Sequence, residues 1–156
     1  MGTKQAGTKD SVETYNAFAK YRKVKACLDS TGLPFVGHCY TCGKRYHISF
    51  LQCGHAKGGR SNFLLCNRFL TDAQCKICNM NMHGRSERFQ KKLKAQYGEE
   101  FIERLLIRAE RKIMRDANIN WPKHKKKFER WLARDLRAHG YKTYGELLKA
   151  TPEMME

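Results

Sequence analysis

Cys39-Tyr40-Thr41-Cys42-Gly43-Lys44 and Gln74-Cys75-Lys76-Ile77-Cys78-Asn79 are the two stretches that decide how this chain folds. Each holds a Cys-x2-Cys pair, and 32 residues separate Cys42 from Cys75. One such pair chelates a metal from a single turn. Two pairs complete a tetrahedral set of four thiolates with no open position, the pattern of a structural zinc site. Gly43 supplies the positive φ that the turn behind the first pair needs. Cys53 and Cys66 are the competing ligands, but neither belongs to a close pair, and both read, like Cys27, as small buried hydrophobes. Seven cysteines is an odd number, which a purely disulfide framework does not use up. With no secretion signal in view, a reducing, cytoplasmic setting is expected, where paired cysteines are metal ligands.

Charge is the second determinant. The 156 residues include 31 Lys+Arg against 15 Asp+Glu, a net charge of +16. A small domain needs a charge of only about 2–8 for solubility. The excess therefore points to a polyanionic partner, nucleic acid before a membrane surface. No apolar run approaches the ~20 residues of a spanning helix, and the N-terminus lacks the apolar stretch of a signal peptide.

The predicted fold class is α+β, in four segments. Residues 1–10 read as a disordered tail. Residues 11–38 read as an N-terminal basic helix over 11–29 followed by a linker. Ser11 is its expected cap, Tyr15, Phe18, Tyr21, Val24 and Leu28 its apolar stripe, and Lys20, Arg22, Lys23 and Lys25 its remaining surface. Residues 39–98 form the zinc-bound core: a strand over Tyr46–Cys53, a basic loop over 54–62, a second short strand over 63–70, and a helix over 76–97. Residues 99–156 form a C-terminal helical extension for DNA binding or oligomerisation. Its helices are expected at 99–117 and 123–138, divided by Asn118-Ile119-Asn120-Trp121-Pro122, with a short one near 143–150. Between residues 39 and 83 the only acidic residue is Asp72, against six Lys+Arg, a composition suited to a surface pressed against phosphates.

Strand, histidine-bearing loop, strand and helix, clamped by zinc, is the layout of a ββα-metal nuclease. The stretch 16–98 resembles the HNH endonuclease superfamily, in particular the phage NinG/Rap recombination endonucleases. The resemblance is carried by Phe18, Tyr21, Lys23 and Lys25 on the first helix and by the Cys39-x2-Cys42-Gly43 knuckle. It continues through Leu51-Gln52-x-Gly54-His55, Gln74-Cys75-x2-Cys78-Asn79 and His83-Gly84, and ends at Tyr97-Gly98.

That resemblance implies a metal-dependent DNA endonuclease acting on branched recombination intermediates such as Holliday junctions or D-loops, in a phage-infected bacterial cell. His55 would be the base that activates water. A histidine with an unperturbed pKa of about 6.5 suits that role. Asn79 and His83, at i and i+4 on one helix face, would hold a catalytic Mg²⁺ or Mn²⁺. Arg45, Lys57, Arg60, Arg68 and Arg85 are the expected phosphate contacts. A resolvase that cuts two strands symmetrically implies a homodimer. Gly54 stands where many HNH sites have an aspartate, and the motif's central asparagine falls at Leu70 or Thr71, leaving Asn62 or Asn67 for its role. Asp72 and Glu87 are the nearest carboxylates for the ion. The competing functions are a non-catalytic zinc-containing nucleic-acid-binding protein, in which His55 is a phosphate contact or a core histidine, and an HNH nickase or homing-type enzyme.

Overall fold

A computed structural model describes residues 8–58, 65–110 and 119–151. Arg60, Asn62 and most of the expected N-terminal tail fall outside these residues.

The first helix, α1 (Lys9–Thr31), starts earlier than its sequence pattern suggests because Thr8, not Ser11, is the cap. The Thr8 hydroxyl accepts from the Ser11 amide at 3.2 Å, and the Ser11 hydroxyl donates back to the Thr8 carbonyl at 2.8 Å. Lys9 and Asp10 are therefore helical rather than part of a tail. Gly32 ends the helix at φ 77°, its amide on the Leu28 carbonyl. Phe18, Tyr21 and Val24 are buried as the spacing predicts. Arg22 is not on the surface. Its guanidinium donates to the Thr71 carbonyl and to the Asp72 carboxylate, both at 3.1 Å, with the two side chains 7% and 14% exposed.

Two small antiparallel sheets follow. Strands β1 (Val36–His38) and β2 (Arg45–His47) bracket the first cysteine pair. Strands β3 (Leu51–His55) and β4 (Thr71–Cys75) form a hairpin in register from Leu51 opposite Cys75 to His55 opposite Thr71. The strand expected over Tyr46–Cys53 is thus two strands. A 3₁₀ turn at Ile48–Phe50 divides them, its N-terminal Ser49 amide capped by the His47 ring.

The second strand lies at Thr71–Cys75. Residues 63 and 64 lie outside the described residues, and the described part of the expected strand, 65–70, is not extended. Asn67 prevents extension there, because its side-chain oxygen accepts from the amides of both Phe69 and Leu70 and folds the chain into a turn.

The helix expected over 76–97 is broken into three. A wide turn spans Ile77–Asn81, closed by the Met82 amide on the Ile77 carbonyl. His83, Gly84 and Arg85 then adopt φ of 52°, 80° and 47°. Only at Ser86 does α2 (Ser86–Tyr97) begin. Helix α3 (Glu99–Glu110) follows. Helix α4 (Trp121–Ala138) starts two residues before the expected position, since Asn120 caps it and Pro122 sits in the first turn, where its missing N–H is no loss. Helix α5 (Tyr144–Leu148) closes the described chain, capped by Thr143.

The hairpin stands between two cores. On one side α1 packs on α4 and α5, with the Phe18 and Phe128 rings edge to face at 5.0 Å and Leu132, Leu136 and Leu147 buried beside them. On the other, Phe89 and Leu93 of α2 pack with Ile102 and Leu105 of α3 against Ala56 and Leu70. No described helix is long and apolar enough to cross a membrane.

Arg22 is the cation that makes the buried Asp72 tolerable. Burial pushes the Asp72 carboxyl above the ordinary carboxylate range, and Arg22 opposes that rise. Ionised Asp72 therefore costs stability in the fold. Arg22→Met should cost about 3–5 kcal/mol at neutral pH. The loss should shrink as pH falls and the carboxyl takes up its proton. Urea unfolding of both proteins at two pH values measures it.

Candidate metal centre and the hairpin it closes

The four cysteines of the two pairs converge. All four Sγ atoms lie within 4.8 Å of one another, and Cys42 and Cys75 are 4.0 Å apart. A tetrahedron with Zn–S bonds of 2.3 Å has S···S edges of about 3.8 Å, so the cluster is at coordinating distance. Local backbone builds it. The Cys39 amide donates to the Lys44 carbonyl, and the Gly43 amide to the Cys39 carbonyl, each at 2.8 Å, with Gly43 at φ 75°. In the second pair the Cys78 amide donates to the Cys75 sulfur at 3.5 Å.

The thiols of this chain separate into two kinds. Burial pushes Cys27, Cys53 and Cys66 up to about 12, which marks them as inert packing groups. Cys39 comes down to about 6 although burial opposes it, because backbone amides around Cys42 and Cys75 and the Thr41 hydroxyl favour its thiolate. Cys42 and Cys78 are raised, first by burial and then by the neighbouring sulfurs. Four sulfurs packed this closely are well placed to share a cation. A soft, closed S₄ set fits Zn²⁺.

The hairpin that this cluster anchors carries His55 at the end of β3. Its Nε2 donates to the Leu65 carbonyl at 3.1 Å, and its ring stacks on Tyr15 of α1 at 5.8 Å. The Tyr15 hydroxyl donates to the Cys53 carbonyl at 3.4 Å. Asn67 holds the turn two residues past Leu65: besides its side-chain bonds, its carbonyl accepts from the Thr71 hydroxyl at 2.8 Å. Gly54, beside His55, has no room for a side chain. A Cβ there would come within 2.9 Å of Gln74 Cγ and overlap its amide. Gln74 is fully buried, and its amide donates to the Thr41 hydroxyl at 3.0 Å and the Gly84 carbonyl at 2.8 Å. It thus ties the first cysteine turn to the kink before α2.

Other expected site residues are not brought together. The Asn79 amide donates to the Gln52 side chain at 2.8 Å, and His83 is exposed on the left-handed kink. The two do not share a regular helix face, which corrects the i, i+4 expectation. Side chains alternate along β3, so Gln52 meets Asn79 on the face opposite the one that carries His55 and Tyr15. Asp72 is committed to Arg22, and Glu87 is exposed in the first turn of α2. Among the described residues only the four cysteines form a cluster of metal-binding side chains. A hard cation such as Mg²⁺ wants oxygen ligands, and the arrangement of Asn79 and His83 does not fit it.

Of the expected phosphate contacts, Arg45 and Arg68 are exposed, Lys57 pairs with Glu110, and Arg60 lies outside the described residues. Arg85 is half-buried with its Nε unpartnered. The Gln52–Asn79 and Gln74–Thr41 bonds were missed from sequence. Their only signal was two uncharged glutamines inside short strands.

Cys75→Ser should remove the metal and unfold the hairpin. The wild-type chain should carry one Zn²⁺ by elemental analysis, and its far-UV circular dichroism should collapse on prolonged chelation. No protein-family model, curated protein or solved structure matches this chain.

Proposed function

We propose that the chain is a zinc-clamped DNA endonuclease of the HNH type, with His55 as general base. The observation that carries this is the bond from His55 Nε2 to the Leu65 carbonyl. A carbonyl only accepts, so Nε2 carries a proton. An imidazole oriented by a backbone oxygen at a strand end is suited, in its neutral form, to take a proton from an attacking water. Asn67, by holding the turn that presents Leu65, takes the orienting role for which the motif's central position has no asparagine.

The net charge of +16 favours a polyphosphate substrate bound through its backbone. Branched DNA from phage recombination is the substrate class that the NinG/Rap resemblance suggests. The described residues do not assemble a cage for Mg²⁺ or Mn²⁺.

One observation favours a second reading, a zinc-containing DNA-binding protein without catalysis. Asp72 and Asn79, which would serve a catalytic ion, are both engaged inside the protein.

Incubation with a four-way junction and with linear duplex, in Mg²⁺, Mn²⁺ or EDTA, separates the two. Cleavage of the junction supports the nuclease. Tight binding without cleavage in either ion leaves the binding protein. His55→Ala should slow cleavage by about 10²–10⁴-fold while DNA binding is unchanged; undiminished cleavage removes His55 as the base.

A further inference from the structure

A cavity of about 550 Å³ opens between α1, α4 and the turn at 66–69. It is within the size range of small-ligand sites, about 300–1,000 Å³. Both tryptophans of the chain, Trp121 and Trp131, line it. Trp131 is fixed in the wall by Tyr21 at 5.3 Å and Phe128 at 5.9 Å. Trp121, half-exposed at the start of α4, makes no ring contact among the described residues. Its carbonyl accepts from Thr14 of α1, so its backbone is held in place.

The rim is cationic. Arg68 and Lys127 line the cavity, no acidic residue does, and neither cation has an acidic partner among the described residues. Lys127 Nζ lies 5.0 Å from the Phe128 and Trp131 ring centroids, and Arg68 lies 4.6 Å from the Phe69 centroid. His124, on the same wall, is lowered from its ordinary value by burial and by Lys127 and Lys123, so it is a neutral imidazole able to donate or accept. The cavity also adjoins the hairpin. Cys66, in its lining, follows Leu65, whose carbonyl holds His55, and Phe18 lies one turn along α1 from Tyr15.

An aromatic wall with an open indole and a rim of unpaired cations is what an unstacked nucleobase requires. The base stacks on a ring face, and its 5′ or 3′ phosphate meets the guanidinium or ammonium. Duplex DNA keeps its bases stacked and offers none, whereas branch points and single strands do. Resting on the nucleic-acid reading above, we propose that this cavity binds an unpaired base of the DNA, stacked on Trp121, with the adjoining phosphate on Lys127 and Arg68, and so distinguishes branched or single-stranded from duplex DNA.

Because both indoles line the cavity, intrinsic fluorescence reports on it directly. The full zinc-loaded chain, with no chelator and no added Mg²⁺ or Mn²⁺, is titrated with a single-stranded oligothymidylate, a four-way junction and a blunt duplex. The first two should quench tryptophan emission and the duplex should not. Trp121→Ala should weaken oligothymidylate binding by roughly 5–150-fold, the range for loss of one stacked base, while duplex affinity stays within about twofold. Lys127→Gln, which leaves both indoles in place, should weaken the same binding while the quench at saturation persists. Duplex binding with equal quenching by all three DNAs, or a Trp121→Ala variant unchanged toward oligothymidylate, overturns the cavity's role alone. Absence of binding to any DNA overturns it together with the nucleic-acid reading. Leaving out Mg²⁺ and Mn²⁺ keeps cleavage out of the result, so a missing nuclease activity does not alter it.

Discussion

Thiolates within 4.8 Å of one another repel, and the fold sets four of them at that distance with three of the four residues buried. Without a cation that arrangement is unfavourable; a Zn²⁺ held there would turn its binding free energy into folding free energy, of order 10 kcal/mol or more. The central region has little else to hold it. Its strands are three to five residues long and each sheet has only two of them, too little to stand alone in water. The cysteine cluster joins the β1–β2 turn to the end of β4, and Gln74 adds a second tie from Thr41 to Gly84.

From this anchor the position of His55 follows. The histidine ends β3 opposite Thr71, and Thr71 also bonds Asn67 and receives Arg22. The strand end is thus held by α1 through a buried ion pair and by the turn through an asparagine. Tyr15 then stacks on the imidazole from the same helix. A single helix, α1, supplies the buried guanidinium, the ring beside the histidine and one wall of the aromatic cavity.

How much of this can be read in the residues depends on whether a rule is local. The cysteine spacing is local in each pair, and it picked out the four cysteines that converge. The stripe Phe18, Tyr21, Val24 named the buried face of α1. What escaped was set by side chains acting on the backbone or across the fold. Asn67 turns a hydrophobic run that looks like a strand into a loop. Three successive left-handed residues, two of them not glycine, break a helix whose composition shows no break. Arg22 looks like one more surface cation until Asp72, fifty residues away, is placed beside it. At the candidate site the place of His55 at a strand end was legible. The pairing of Asn79 with Gln52 was not, because it depends on which face of β3 each residue occupies.

The packing of α1 on α4 also constrains how the molecule is assembled. Phe18 meets Phe128 and Tyr21 meets Trp131, contacts that span more than a hundred residues. During synthesis the cysteine cluster is complete once Cys78 emerges, well before α4 exists to cover the aromatic face of α1. The cluster is therefore complete before the larger core can close, and the nascent chain carries an exposed apolar helix through that interval. A growing polypeptide of this design can bring its middle to order around the four cysteines while its two ends wait for each other.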